Sequence, residues 1–191
     1  MRNKSSLYTV EEVEALTRQW VETMVVGLNL CPFAAPVVKK DTLRYAVTEG
    51  QSEEDLAHAF LSELEKIQKA NEVDIATSLV IMPKALTDFY DYLDMLAVFE
   101  NLLKASGLEG TFQLASFHPN YQFAGVAAED LSHWTNRSPF PMVHIIREGQ
   151  MERVLAHYAD PDAIPERNIN LLRELGREEL IKRFPPFAEY T

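Results

Sequence analysis

The chain has 191 residues, 47% of them hydrophobic and 25% charged, with a formal net charge of −11. A length of this order fits one domain burying roughly 70% of the surface its unfolded chain exposes, so no disulfide or metal is required for folding. So acidic a surface repels phosphate backbones and anionic lipid, which sets nucleic acid and membrane surfaces aside as expected partners.

The lone cysteine, Cys31, allows no intrachain disulfide and suits a reducing compartment. Met1 to Val10 lacks the apolar stretch of a secretory signal, and Met24 to Val38, interrupted by Asn29, Pro32 and Pro36, is too short to span a bilayer. Cytoplasm is the expected location.

In chain order, Thr9 with Glu12 reads as a capping box, with Tyr8 and Val13 placed as a staple. Val13, Leu16, Trp20, Met24 and Gly27 recur at helical spacing and predict a first helix over 10–28. A Pro-containing irregular segment, Leu28 to Asp41, follows, then a first strand over Thr42 to Thr48. Ser52 and Asp55 start a second helix that buries Leu56, Phe60, Leu64 and Ile67. Ile75 to Met82, short, apolar and β-branched, predicts a strand covered on both faces. Thr87 or Asp88 opens a third helix with the stripe Phe89, Leu93, Leu96, Phe99 and Leu103, stopped at Gly107.

Thr111 to Phe117 is a third predicted strand, ended by His118-Pro119. No periodicity is found over 118–139, although a short helix fits near Glu129 to Trp134. Pro141 to Arg147 is a fourth strand, leading into a short helix that reaches Tyr158. The region from Pro161 to Phe184 reads as helical with a break at Gly176, and Pro185-Pro186 leaves a tail, 185–191. Ile164 to Asn168 could add a second cation, Arg167, and an amide, Asn168, to a site, but a helix N-terminus with good capping chemistry is the preferred reading. The expectation is an α/β fold: a single layered domain, 1–184, with a central mixed sheet of about four strands packed by helices. The first three strands are expected parallel and the fourth antiparallel, since no helix separates strands three and four.

That topology gathers polar residues at one end of the sheet, where open α/β sheets usually bind ligands. The end of strand three (His118, Asn120, Tyr121) meets the start of strand four (Asn136, Arg137, Ser138), with Glu49, Lys84 and Asp88 nearby. Loops as long as the one between them, more than about 12–15 residues, are uncommon unless functional or simply extended over the surface. The guanidinium of Arg137 beside Asn136 and Ser138 suits a carboxylate or phosphate, with an ordinary salt bridge as the competing reading. His118 is a candidate proton carrier, and a structural strand-end histidine otherwise. His144, inside an apolar strand, is a candidate ligand contact against a satisfied core histidine. His58 and His157 read as surface residues.

Cys31 is a candidate nucleophile if the Leu28 to Asp41 segment carries it to His118. Against this, it follows a helix C-terminus and has the apolar neighbours Leu30, Pro32 and Phe33, both of which raise a thiol pKa. A metal site from Cys31, His118, His144 and Glu148 matches no ligand spacing, and no metal is assigned. Dinucleotide, Walker and nucleophile-elbow motifs are missing, so the cofactor stays open.

Three segments, Leu28 to Ala34 (LNLCPFA), Phe117 to Gly125 (FHPNYQFAG) and Asn136 to His144 (NRSPFPMVH), together resemble an uncharacterised, largely bacterial family, the domain of unknown function numbered 1415. The resemblance covers Trp20 to about Gly176 and implies a cytosolic bacterial protein; it implies no activity or site residue. Three functional readings stand. The leading one is an enzyme, of hydrolase or transferase type, acting on a small anionic or polar metabolite. Its catalytic residues are His118 and Cys31, and its substrate contacts are Asn120, Tyr121, Asn136, Arg137, Ser138 and His144. The others are a non-catalytic small-molecule-binding or protein-interaction domain, and a metal-binding protein using Cys31 and the histidines. Oligomeric state is not specified.

Overall fold

A computed structural model describes residues 8–156, 158 and 160–189; His157 lies outside them. Thr9 and Glu12 form the expected capping box: Thr9 Oγ1 accepts from the Glu12 amide at 3.2 Å and Glu12 Oε2 from the Thr9 amide at 2.8 Å. Helix α1 runs from there over Val10–Trp20, and its continuation, Val21–Val26, widens into a π-helical turn. The extra residue per turn re-aims the side chains of Val21 and Val25. The next segment, expected to be irregular, holds a short helix α2, Ala34–Lys39. Pro36 does not prevent it, because it sits in the first turn, where an amide lacks an intrahelical acceptor in any case.

The remaining elements are β1 (Leu43–Val47), α3 (Glu53–Lys69), β2 (Thr77–Ile81), α4 (Phe89–Ala105), β3 (Phe112–Phe117), β4 (Met142–Arg147), α5 (Glu148–Leu155) and α6 (Ala163–Arg183). The long loop before β4 contains a 3-10 turn, Leu131–Thr135.

The fold is α/β with one four-stranded mixed sheet in the order β1-β2-β4-β3. The expected parallel block of the first three strands is not formed. Only β1 and β2 pair in parallel; β4 enters between β2 and β3 and pairs antiparallel with both. Burial explains the placement: all five residues of β2 are buried and β4 buries Met142, Val143 and Ile145, whereas β3 exposes Gln113 and takes an edge. Two antiparallel steps leave β3 running in the same sense as β1 and β2. The ends of β1, β2 and β3 and the start of β4 therefore do share one end of the sheet.

Side-chain alternation divides the core into two layers. On one face Leu43, Leu79, Ile81 and Met142 pack with Val13, Trp20, Met24, Leu172 and Leu180 of the α1 and α6 layer. On the other, Val80, Val143 and Ile145 pack with Leu56, Phe60, Leu64, Tyr92 and Phe99 of α3 and α4. Leu93, expected inside, is 37% exposed, because α4 buries the neighbouring stripe Tyr92, Met95, Phe99 and Leu103 instead. A phenol tolerates that burial because the Tyr92 hydroxyl donates to Met142 O at 2.9 Å and accepts from Phe117 N at 3.1 Å.

The expected break in α6 is present at Gly176, with φ 74° and ψ 163°. This backbone region is essentially reserved for glycine, and a Cβ there would meet nothing within 4 Å, so strain alone decides the cost. Gly176→Ala is expected to lower stability by about 1–3 kcal/mol in a denaturant titration. An unchanged midpoint would show that α6 tolerates a straight path. Beyond α6, Pro185–Glu189 folds back as a 3-10 turn and buries Phe187 against Trp134, ring centroids 4.8 Å apart.

Candidate functional site

At the shared strand end the chain doubles back as expected: His118 N donates to Asn136 O at 3.2 Å and Tyr121 N to His118 O at 3.1 Å. The polar groups gathered there hold one another. His118 is fully buried against Phe89 and Tyr92 of α4. Its Nε2 donates to Leu86 O at 2.9 Å and its Nδ1 accepts from Asn120 N at 3.0 Å, so both ring nitrogens are engaged. Burial, opposed by the Leu86 hydrogen bond, pushes its pKa below the ordinary imidazole value. His133 repeats the pattern within the loop, donating from Nε2 to Ala127 O at 2.8 Å and accepting at Nδ1 from Phe123 N at 3.1 Å.

Asn136 Nδ2 donates to Ser116 O at 3.0 Å and Ser138 Oγ to Phe140 O at 2.7 Å. Arg137 is 6% exposed, with its guanidinium over the Trp134 ring at 5.6 Å and Nε 3.4 Å from Tyr121 O; burial lowers its pKa. Tyr121 packs between Phe89 and Phe123, and Asn120 is exposed. Asp130 ties the loop to α6 through an ion pair with Arg173 at 2.7 Å. Of the flanking residues, Lys84 pairs with Glu49, and Asp88 caps α4 by accepting from Tyr90 N at 2.8 Å. The strand end is thus a braced loop in which His118, His133, Asn136 and Ser138 are engaged internally, while Arg137 makes a single long hydrogen bond.

A cavity of about 610 Å3 lies elsewhere, over the sheet face that α1 covers. Its floor is Leu43, Thr77, Leu79, Ala115, Phe117 and His144; its walls are Trp20, Val21 and Val25 of the widened first helix, Cys31, Phe33 and Val37 around α2, and Met151 and Val154 of α5. The rim carries the exposed residues Lys40, Glu72 and Val73, so the cavity opens toward the starts of β1 and β2. Open α/β sheets usually bind at the opposite end. An ion pair between Arg153 of α5 and Glu72, at 2.5 Å, spans the rim.

The cavity brings Cys31 and His144 together but does not include His118 or Arg137 in its lining. Cys31 is carried there by α6: Arg167 donates to the carbonyls of Leu28 and Asn29, and Asn168 Nδ2 donates to Leu30 O at 2.7 Å. Burial raises the Cys31 pKa, and the amides of Phe33 and Ala34 offset only part of that. His144 stands on the central strand, opposite Leu79 on one side and Ala115 on the other. Thr77 Oγ1 lies 2.6 Å from His144 Nε2 and 2.6 Å from Ile145 O. Burial lowers the His144 pKa to about 4, and the half-buried side chain keeps part of its surface reachable from the cavity.

Among the described residues no three His, Cys, Asp or Glu side chains converge as a metal ligand set, so Cys31, His118, His144 and Glu148 are not assembled. Nor is any helix there long and apolar enough to cross a membrane.

The profile of a family described as protein of unknown function (DUF1415) matches residues 12–182. The chain belongs to the DUF1415 family. No curated protein and no solved structure matches it. The match spans every residue lining the cavity, from Trp20 to Val154, and all three segments that carried the resemblance. In this DUF1415 chain, sequence reasoning missed Thr77, which hides in an apolar run, and read Arg167 and Asn168 as part of a helix start, whereas they hold the carbonyls of Leu28, Asn29 and Leu30. A usable signal existed for Thr77: a hydroxyl in a strand covered on both faces must find a partner.

Proposed function

We propose that this DUF1415 protein binds a small, largely apolar molecule in the cavity between the sheet and α1, α2 and α5. The observation that carries the reading is the cavity itself. Its volume of about 610 Å3 falls within the roughly 300–1,000 Å3 usual for ligand sites, and its lining is mainly aliphatic and aromatic with few polar groups at the floor and rim.

Binding is favoured over turnover by the protonation states. Burial holds Cys31 as a thiol and His144 as a neutral imidazole at pH 7, so the pair offers no ready nucleophile and only a weak base. Of the small anionic or polar metabolites expected from the sequence, an anion finds little in this lining to grip it. The guanidinium of Arg147 already donates to the carbonyls of Ile67, Ala70 and Ile75, which leaves the rim residue Lys40 as the nearby cation.

The test is a neutral fluorescent probe, N-phenylnaphthylamine, titrated into the wild type and into Ala115→Phe, which places a ring over the cavity floor beside His144. The wild type is expected to bind with enhanced emission and the variant at least tenfold more weakly, with its fold intact by circular dichroism. Equal binding to both proteins, or none to the wild type, would overturn the reading.

A further inference from the structure

Three histidines with hydrogen-bonded rings differ in one respect. His118 and His133 each have both nitrogens engaged, whereas His144 has a partner at Nε2 alone. Among the described residues, its Nδ1 has no hydrogen-bond partner, and it is not a sealed, unsatisfied atom. Since His144 lines the cavity floor, that nitrogen is the ring atom left open to a ligand there.

The proton arrangement follows from the neighbours. Ile145 O is a carbonyl and only accepts, so the single hydroxyl proton of Thr77 points to it, at 2.6 Å. Thr77 Oγ1 therefore receives a proton from its other partner, His144 Nε2, at 2.6 Å. With the ring neutral and Nε2 protonated, Nδ1 presents a lone pair and no hydrogen. Thr77 is a positioning residue, since it sets which nitrogen of His144 faces the ligand.

We propose that the cavity floor selects ligands whose buried end donates a hydrogen bond, an alcohol, phenol or amide N–H on an apolar body, and disfavours molecules whose buried end only accepts. This rests on the cavity-binding reading above and adds to it the class of ligand. A ketone or ether oxygen brought against Nδ1 sets two lone pairs face to face and strips water from both, whereas a hydroxyl there makes the bond the site lacks. An ionised carboxylate is excluded from the floor for the same reason, with its desolvation added.

Two eight-carbon probes, n-octanol and methyl hexyl ketone, would be titrated by calorimetry into the wild type, Thr77→Val and Thr77→Ser. Separately, the imidazole 15N shifts of His144 report which nitrogen carries the proton, with no ligand present. The wild type is expected to show a protonated Nε2 and to bind the alcohol about tenfold more tightly than the ketone, the equivalent of one good hydrogen bond. Thr77→Val removes the fixed acceptor, so the proton is free to move to Nδ1 and the preference falls toward unity; Thr77→Ser restores it. Equal binding of the two probes by the wild type, or a proton found on Nδ1, overturns the inference and leaves the cavity reading standing. Failure of both probes to bind while Nε2 carries the proton overturns the cavity reading, and the inference falls with it. If the valine variant does not fold, the wild-type ratio and the wild-type spectrum decide the matter alone.

Discussion

Replacing His118 by alanine is expected to lower the unfolding free energy by about 3 kcal/mol, the loss of two buried hydrogen bonds plus aromatic packing. The ring ties three pieces of chain together. Its Nε2 holds the carbonyl of Leu86, a non-glycine residue at φ 57°, and its Nδ1 receives the amide of Asn120 just after β3. Its faces lie against Phe89 and Tyr92 of α4. Removing the imidazole leaves one carbonyl and one amide without partners and opens a void beside two rings. Cys31→Ala makes the contrast: the thiol borders a cavity that is already open, so its loss should cost under about 1 kcal/mol. Urea titrations of the two variants beside the wild type measure both quantities. A His118→Ala protein with the wild-type midpoint would return that residue to the list of candidate proton carriers.

Acid is expected to weaken the fold in a window set by His144. The folded protein holds its pKa near 4, against 6.5 for the free side chain, through burial on the central strand. Between those values the unfolded chain carries the proton and the folded one does not, so stability rises with pH across the window. The contribution is complete above the unfolded value and is lost as pH falls toward the folded value, on the order of 3 kcal/mol in total. His118, also lowered by burial, adds a loss of the same sign. Denaturant midpoints measured at about pH 7 and about pH 4 should separate widely for the wild type and much less for His144→Gln, whose amide does not titrate in this range. Parallel pH dependence in the two proteins would show that His144 is solvated enough to accept its proton freely.

Local chemistry made the helix starts legible before any coordinates. Thr9 with Glu12 and Ser52 with Asp55 are short-range pairs whose geometry depends on four residues, and Asp88 and Gly176 act within one turn. The strands were legible as apolar runs, but their order was not. Sequence shows that Pro141 to Arg147 forms a strand, yet not that it would part β2 from β3. Missing that insertion hid the site. Once β4 is central, His144 projects from the face that α1 covers, beside Thr77, a residue 67 positions away. The conspicuous polar loop drew attention instead, and its side chains are largely engaged with its own backbone. Polarity in a long loop signals a need for hydrogen bonds, whether a ligand or the loop supplies them.

The placement of β4 also constrains how the chain can acquire its shape. A polypeptide emerging from a ribosome produces β1, β2 and β3 first, and β3 has no sheet neighbour among them. Until residues 142–147 are made, β2 and β3 each lack the strand that joins them in the finished sheet. Residues 142–147 supply both missing pairings, so the four-stranded sheet cannot be complete before they are in place. Non-local pairing of this kind is expected to form more slowly than local contacts, and a fragment ending before residue 142 is expected to lack the joined sheet.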